Sequence, residues 1–166
     1  LGYIEGLGKI ILIEPEALLT KASKMPGLDG QKMSKSYENM ISLRDEPEVI
    51  TQKIKKMPTD PARIKLSDPG DPNKCPVWQM HQIYSPQTTL DWVVEGCTKA
   101  KIGCIECKGP VIDSVISELG PIQERIAKYQ SNPNLIQEII FDGSERARSV
   151  AKNTLEEVRD AMGITY

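Results

Sequence analysis

The sequence predicts a mainly helical fold, and three observations predict it. Apolar residues in the last third recur every three or four positions, prolines stand where helices begin, and the period-two alternation of a half-buried strand is almost absent. One strand-like run, residues 9–13, is the exception, with a possible few residues elsewhere.

Each element has its own signal. Residues 1–44 are rich in Gly, Ser and Lys and poorly periodic, which predicts an entry segment, a short turn or helix at 15–19 and a long flexible loop. Pro47 precedes a helix over 48–56, and Thr59-Asp60-Pro61 breaks the pattern. Residues 63–74, with Asp68-Pro69-Gly70-Asp71-Pro72, read as an irregular connector. Pro76 and Pro86 each suit a first helical position, where the missing N–H has no intrahelical partner to lose, so short helices follow at 76–84 and 86–98. Val111, Val115, Leu119, Ile122, Ile126 and Tyr129 then line one helix face, and Pro121 is expected to kink or split that helix. Beyond Asn132-Pro133, Leu135, Ile136, Ile139 and Ile140 stripe a short helix ended by Asp142-Gly143. Ser144 caps a final helix carrying Ala147, Val150, Ala151, Leu155, Val158 and Met162, and Gly163 stops it.

A length of 166 residues suits one compact body with a loose N-terminal arm and is short for two domains. Apolar residues make up 39% and charged residues 27%, and no apolar run approaches the roughly 18 residues a membrane span requires, so a soluble chain is expected. Residues 1–13 lack the basic start and small-residue cleavage site of a secretory signal, which points to the cytoplasm. Net charge is −2, excluding a uniformly basic nucleic-acid binder and leaving only local patches. Lys53, Lys55, Lys56, Arg63 and Lys65 form the one basic cluster, whose plain reading is a solvated helix face and loop. No repeats or low-complexity tracts occur.

The densest chemical signal is Pro26-Gly27-Leu28-Asp29-Gly30-Gln31-Lys32-Met33-Ser34-Lys35-Ser36. Lysines there are mobile point charges, hydroxyls and backbone N–H groups donate, and glycines let the backbone approach, all of which suits a polyphosphate. The Gly-x-x-x-x-Gly-Lys-Ser/Thr spacing of a P-loop is missing, and a solvated surface loop is the competing reading.

Lys32 to Ser36 spell KMSKS, the second signature of class I aminoacyl-tRNA synthetases. Around it, Glu16-Ala17-Leu18-Leu19-Thr20, Tyr37-Glu38-Asn39, Thr59-Asp60-Pro61 and Leu119-Gly120-Pro121-Ile122-Gln123-Glu124-Arg125 also match, as do Asp142-Gly143 and Ala161-Met162-Gly163. Through nearly everything after Lys9 the chain thus resembles the C-terminal half of the tryptophanyl-tRNA synthetases; residues 1–7 depart from the polar, basic helix of that family. The resemblance implies a helical, bundle-like anticodon-binding domain at 45–166, preceded at 1–44 by the signature-loop remnant of a Rossmann-type catalytic domain. It also implies that Lys32 and Lys35 contact ATP phosphates (with Mg2+ as the nucleotide's ion), while Met33, Ser34 and Ser36 help form the nucleotide site. Tryptophan, tRNA(Trp), the N-terminal catalytic half and a second copy in a homodimer are the implied partners. A HIGH-like tetrapeptide is absent and the only histidine is His81, so this chain alone is expected to be inactive. His81, among Val77, Trp78 and Ile83, reads as structural. A free-standing RNA-binding or scaffolding module and the sibling tyrosyl enzyme are the alternatives.

Cys75, Cys97, Cys104 and Cys107 are four thiols with no spare, the last two in a Cys-x-x-Cys pair. In a chain without export features they suggest a metal site over two disulfides, and the residues suit tetrahedral zinc and an iron-sulfur cluster equally; four buried thiols acting as small hydrophobes are the plain alternative. The resemblance favours a four-iron, four-sulfur (4Fe-4S) cluster, because a subset of tryptophanyl-tRNA synthetases carries a comparable set.

Overall fold

Proline opens three of the helices, where its fixed φ and missing N–H suit the first position. Among the residues described by this computed structural model, 10–20 and 22–164, five α-helices form: α1 (Pro47–Lys56), α2 (Pro76–Tyr84), α3 (Gln87–Thr98), α4 (Cys104–Gln130) and α5 (Pro133–Met162). Two 3-10 helices, Lys35–Tyr37 and Pro72–Lys74, complete the set, and no strand occurs among the described residues. Residues 1–7, and the first residue of the strand expected at 9–13, lie outside them. Residues 11–13 are irregular, and so is 15–19, where a turn or helix was expected; neither stretch makes the backbone ladder or apolar burial that would fix it.

Two further expectations are corrected. Pro121 neither splits nor ends its helix: α4 runs through both Pro110 and Pro121. Each interior proline costs about 3 kcal/mol, but α4 buries Val111, Ile112, Val115 and Leu119, each contributing roughly 1.5–3 kcal/mol. Burial outweighs the two lost hydrogen bonds. Likewise Asp142-Gly143 does not end a helix, because α5 is continuous across it; an interior glycine costs only about 1 kcal/mol relative to alanine. The ends of α5 are as expected. The Asn132 Oδ1 accepts from the Leu135 N–H at 3.1 Å, Pro133 follows, and Gly163 closes the helix at φ 68.

One compact body was expected, whereas the chain divides into two units, Thr20–Ile126 and Leu1–Leu19 with Ala127–Tyr166. The first contains the hydrophobic core: Ile50 and Ile54 from α1 with Met57 at its C-cap, Val77 and Met80 from α2, and the four α4 residues. Leu28, Ile41, Tyr84 and Ile122 pack at its edge. In the second unit α5 buries none of its residues, and Ile139, Ile140, Phe141, Val150 and Leu155 are exposed.

Candidate functional site: a braced lysine loop and a four-thiol pocket

Residues 25–39 form a tight hairpin. Pro26 and Lys32 pair as an isolated antiparallel bridge, the Met33 N–H donates to the Met25 carbonyl at 2.9 Å, and the Gly27 N–H donates to the Gln31 carbonyl at 2.6 Å. Gly30 turns the tip at φ 84, a left-handed conformation open to glycine, and a Cβ there would lie 2.6 Å from the Pro76 ring at the start of α2. Leu28 anchors the loop on the core.

Asn39, only 5% exposed, braces this loop from inside. Its Oδ1 accepts from the Ser34 N–H at 2.8 Å, while its Nδ2 donates to Asp29 Oδ1 at 2.7 Å and to the Lys32 carbonyl at 3.2 Å. The Asn39 amide, then the Gln31 N–H, hold the Asp29 carboxyl below its ordinary value. Ser34 caps the 3-10 turn Lys35–Tyr37 by accepting from the Ser36 N–H at 3.2 Å. Lys32, Lys35 and Ser36 are exposed, Met33 and Ser34 partly buried. Neither lysine has a carboxylate within ion-pair distance among the described residues. The loop is a frame presenting two cations that have no carboxylate partner among the described residues. Beside its base, Lys24, Gln79 and Gln82 line an open crevice of about 380 Å³, large enough for a small molecule, with Lys24 its one titratable lining residue.

The four cysteines are free thiols, each partly buried, and all four line one pocket with Thr59, Asp60, Arg63 and Val77. Cys75 sits at the N-cap of α2, Cys97 next to last in α3, and Cys104 and Cys107 in the first turn of α4 rather than in a separate tight turn. Gly70 makes room for one of them, since a Cβ there would lie 2.6 Å from Cys97 Sγ. Among the described residues no three His, Cys, Asp or Glu side chains are close enough to hold a single metal ion. Burial, then the other thiols, pushes Cys107 up to about 12, and burial raises Cys97 as well, against the opposing pull of Arg63. Both shifts favour the neutral thiol at Cys97 and Cys107.

Cations surround it. The Arg63 guanidinium donates to the carbonyls of Ile102 at 2.7 Å and Leu66 at 3.1 Å, and its Nη1 lies 4.0 Å from Cys97 Sγ. Lys108, 3% exposed, donates to the carbonyls of Lys55 and Met57, both at 2.7 Å. Burial lowers its pKa, and the thiols of Cys104, Cys75 and Cys107 oppose that shift. The basic cluster read from sequence is therefore not one surface patch: Lys53 pairs with Asp45, and Arg63 turns to the thiols.

His81 is fully buried, between Ser85 Oγ at 2.8 Å and the Cys107 carbonyl at 3.0 Å. A carbonyl only accepts, so Nε2 carries the proton and Nδ1 accepts from the serine hydroxyl. Burial lowers its pKa below the ordinary histidine value. Its role is structural, as its neighbours in the sequence suggested.

Asn39, Arg63 and Lys108 were not singled out as site residues from sequence. Asn39 follows the signature closely enough to invite inspection; the other two find their partners 34 to 53 residues away and left no local signal.

The family described as class I tRNA synthetases (W and Y) matches residues 2–120. A tryptophan–tRNA ligase of Ralstonia nicotianae is 56% identical over 165 residues, covering 99% of this chain and 41% of the relative. That of Thermotoga maritima is 45% identical over 154 residues, covering 92% and 47%. The crystal structure of tryptophanyl-tRNA synthetase from Campylobacter jejuni, complexed with ADP and tryptophan, superposes with a TM-score of 0.74 over 92% of this chain and 48% of that one; at 23% identity this bears on the fold. The chain spans less than half the length of these curated relatives.

Proposed function

The chain belongs to the class I tRNA synthetases of the tryptophan and tyrosine type, and we propose that its parent is a tryptophan–tRNA ligase to which it contributes the lysine loop and a tRNA-facing helical surface. In the first step a tryptophan carboxylate oxygen attacks the α-phosphorus of Mg2+-bound ATP. The bond from that phosphorus to the bridging oxygen breaks, and pyrophosphate leaves with the electron pair. Tryptophan then passes from the adenylate to tRNA(Trp). Lys32 and Lys35 meet the charge that grows on the departing pyrophosphate, which favours the transition state over the ground state. Met33, Ser34 and Ser36 shape the phosphate site. In this reading residues 1–44 belong to the catalytic domain and 45–166 to the tRNA-binding domain of a cytoplasmic homodimer.

The observation carrying the proposal is the Asn39-braced loop, which spends its internal hydrogen bonds on itself and leaves both ammonium groups without a carboxylate partner among the described residues. Lys35→Ala in the full-length parent is expected to lower tryptophan-dependent pyrophosphate exchange by about 10² to 10³. Unchanged exchange with lost tRNA binding rejects the loop's role. Exchange that needs no N-terminal half, or tyrosine in place of tryptophan, rejects the assignment of the parent.

The thiol pocket completes the proposal. Four soft sulfur donors on one lining, with a glycine clearing space at Cys97 and a buried ammonium that has no carboxylate partner among the described residues, fit a 4Fe-4S cluster held by Cys75, Cys97, Cys104 and Cys107; zinc is the alternative. Such a group supplies a cross-link joining the starts of α2 and α4 to the end of α3. Anaerobic purification should yield coloured protein containing iron and sulfide, and colourless zinc-loaded protein would reject iron.

A further inference from the structure

Resting on the four-thiol reading above, we propose that Arg63 and Lys108 are the charge-compensating positioning residues of that centre, together fitting the pocket to a group that is net negative when bound. Lys108 follows the last cysteine directly, in the first turn of α4. Its ammonium is withdrawn from water, yet its two acceptors are neutral carbonyls at the end of α1. A buried cation with no anionic partner among the described residues is unfavourable unless negative charge lies nearby, and the adjoining residue is Cys107, whose thiol lines the pocket.

Arg63 lines the pocket itself. One nitrogen of its guanidinium clips the Leu66 carbonyl to the Ile102 carbonyl, two residues before Cys104, and the other faces Cys97. Asp60 is the one carboxylate on the lining, and both its oxygens already accept backbone N–H groups, from Ala62 at 3.0 Å and Asp71 at 2.8 Å. On the lining Arg63 and Asp60 offset one another, so the buried Lys108 ammonium, on the residue after Cys107 and without a carboxylate partner among the described residues, leaves one positive charge in excess. Four thiolates on a cluster or zinc reverse that sign, so ligation and the two cations stabilise one another. Groups that touch metal ligands, as Arg63 touches Cys97, or that support them from behind commonly alter metal affinity 10- to 100-fold.

The test uses the full-length parent purified anaerobically, with Arg63→Gln, Arg63→Lys and Lys108→Met. Arg63→Gln and Lys108→Met are expected to lose bound iron, or bound zinc, to excess EDTA about 10- to 100-fold faster than wild type. With iron bound, loss of either positive charge should shift the one-electron reduction equilibrium about tenfold toward the oxidised form, or about 59 mV lower. Arg63→Lys keeps the charge without the fork and should restore the potential, which a purely structural clip would not explain. Should Lys108→Met fail to fold, the two Arg63 variants decide alone. A loaded wild type, with Arg63→Gln matching it in metal loss and, if iron is bound, in potential, overturns the role of the cations while leaving the centre intact. A wild type that carries neither iron nor zinc overturns the centre itself and this proposal with it.

Discussion

Asn39 shows how much one side chain can carry. Its amide satisfies the Ser34 N–H, the Lys32 carbonyl and Asp29 together, so Asn39→Ala frees the segment that aims both lysines. Small misplacements of positioning groups cost rate more than binding, and in the parent this change is expected to lower pyrophosphate exchange by about 10- to 100-fold with tryptophan affinity unchanged. Asp60 gives a second prediction, through pH. The Asp71 N–H, then the Ala62 N–H, hold its carboxyl below the ordinary 3.8, against the opposite pull of burial. A depressed folded value means that the stabilisation is complete above 3.8 and fades as pH falls through that lowered value. Urea unfolding should therefore find Asp60→Asn less stable than wild type at pH 7, with the gap closing as the pH is lowered beneath the ordinary carboxyl value.

At the scale of elements, chain punctuation was legible where nothing opposed it. Pro47, Pro76 and Gly163 mark α1, α2 and the end of α5 because the local backbone rule and the final packing agree. Pro121 and Gly143 misled for the opposite reason: the aliphatic stripe of α4 outweighs a proline, and a lone glycine is too weak to stop a capped 30-residue helix. Gly143 is accordingly open to improvement. A Cβ there meets nothing within 4 Å, so Gly143→Ala should stabilise α5 by about 0.5–1 kcal/mol, read as a raised thermal midpoint. The site was legible to the same partial degree. KMSKS and the four cysteines stand out as residue types, whereas Asn39, Arg63 and Lys108 matter through partners that only folding supplies.

Taken whole, the chain concentrates both of its chemical features in the unit Thr20–Ile126, around the core of α1, α2 and α4. The other unit carries a long helix with exposed Ile139, Ile140 and Phe141 and no candidate chemistry. Length alone could not reveal that division, because it depends on where the buried aliphatic residues fall, and all nine of the core cluster lie between Ile50 and Leu119. The start of α2 then ties the two features together. Cys75 is one peptide bond from Pro76, and the ring of Pro76 is the surface on which Gly30 turns. Damage at one end of this short lever is delivered to the other: an oxidant that strikes the Cys75 sulfur disturbs the footing of the lysine loop. In Cys75→Ser the amides of residues 30–33 should accordingly exchange with deuterium faster, while those in the middle of α5 keep their wild-type rate.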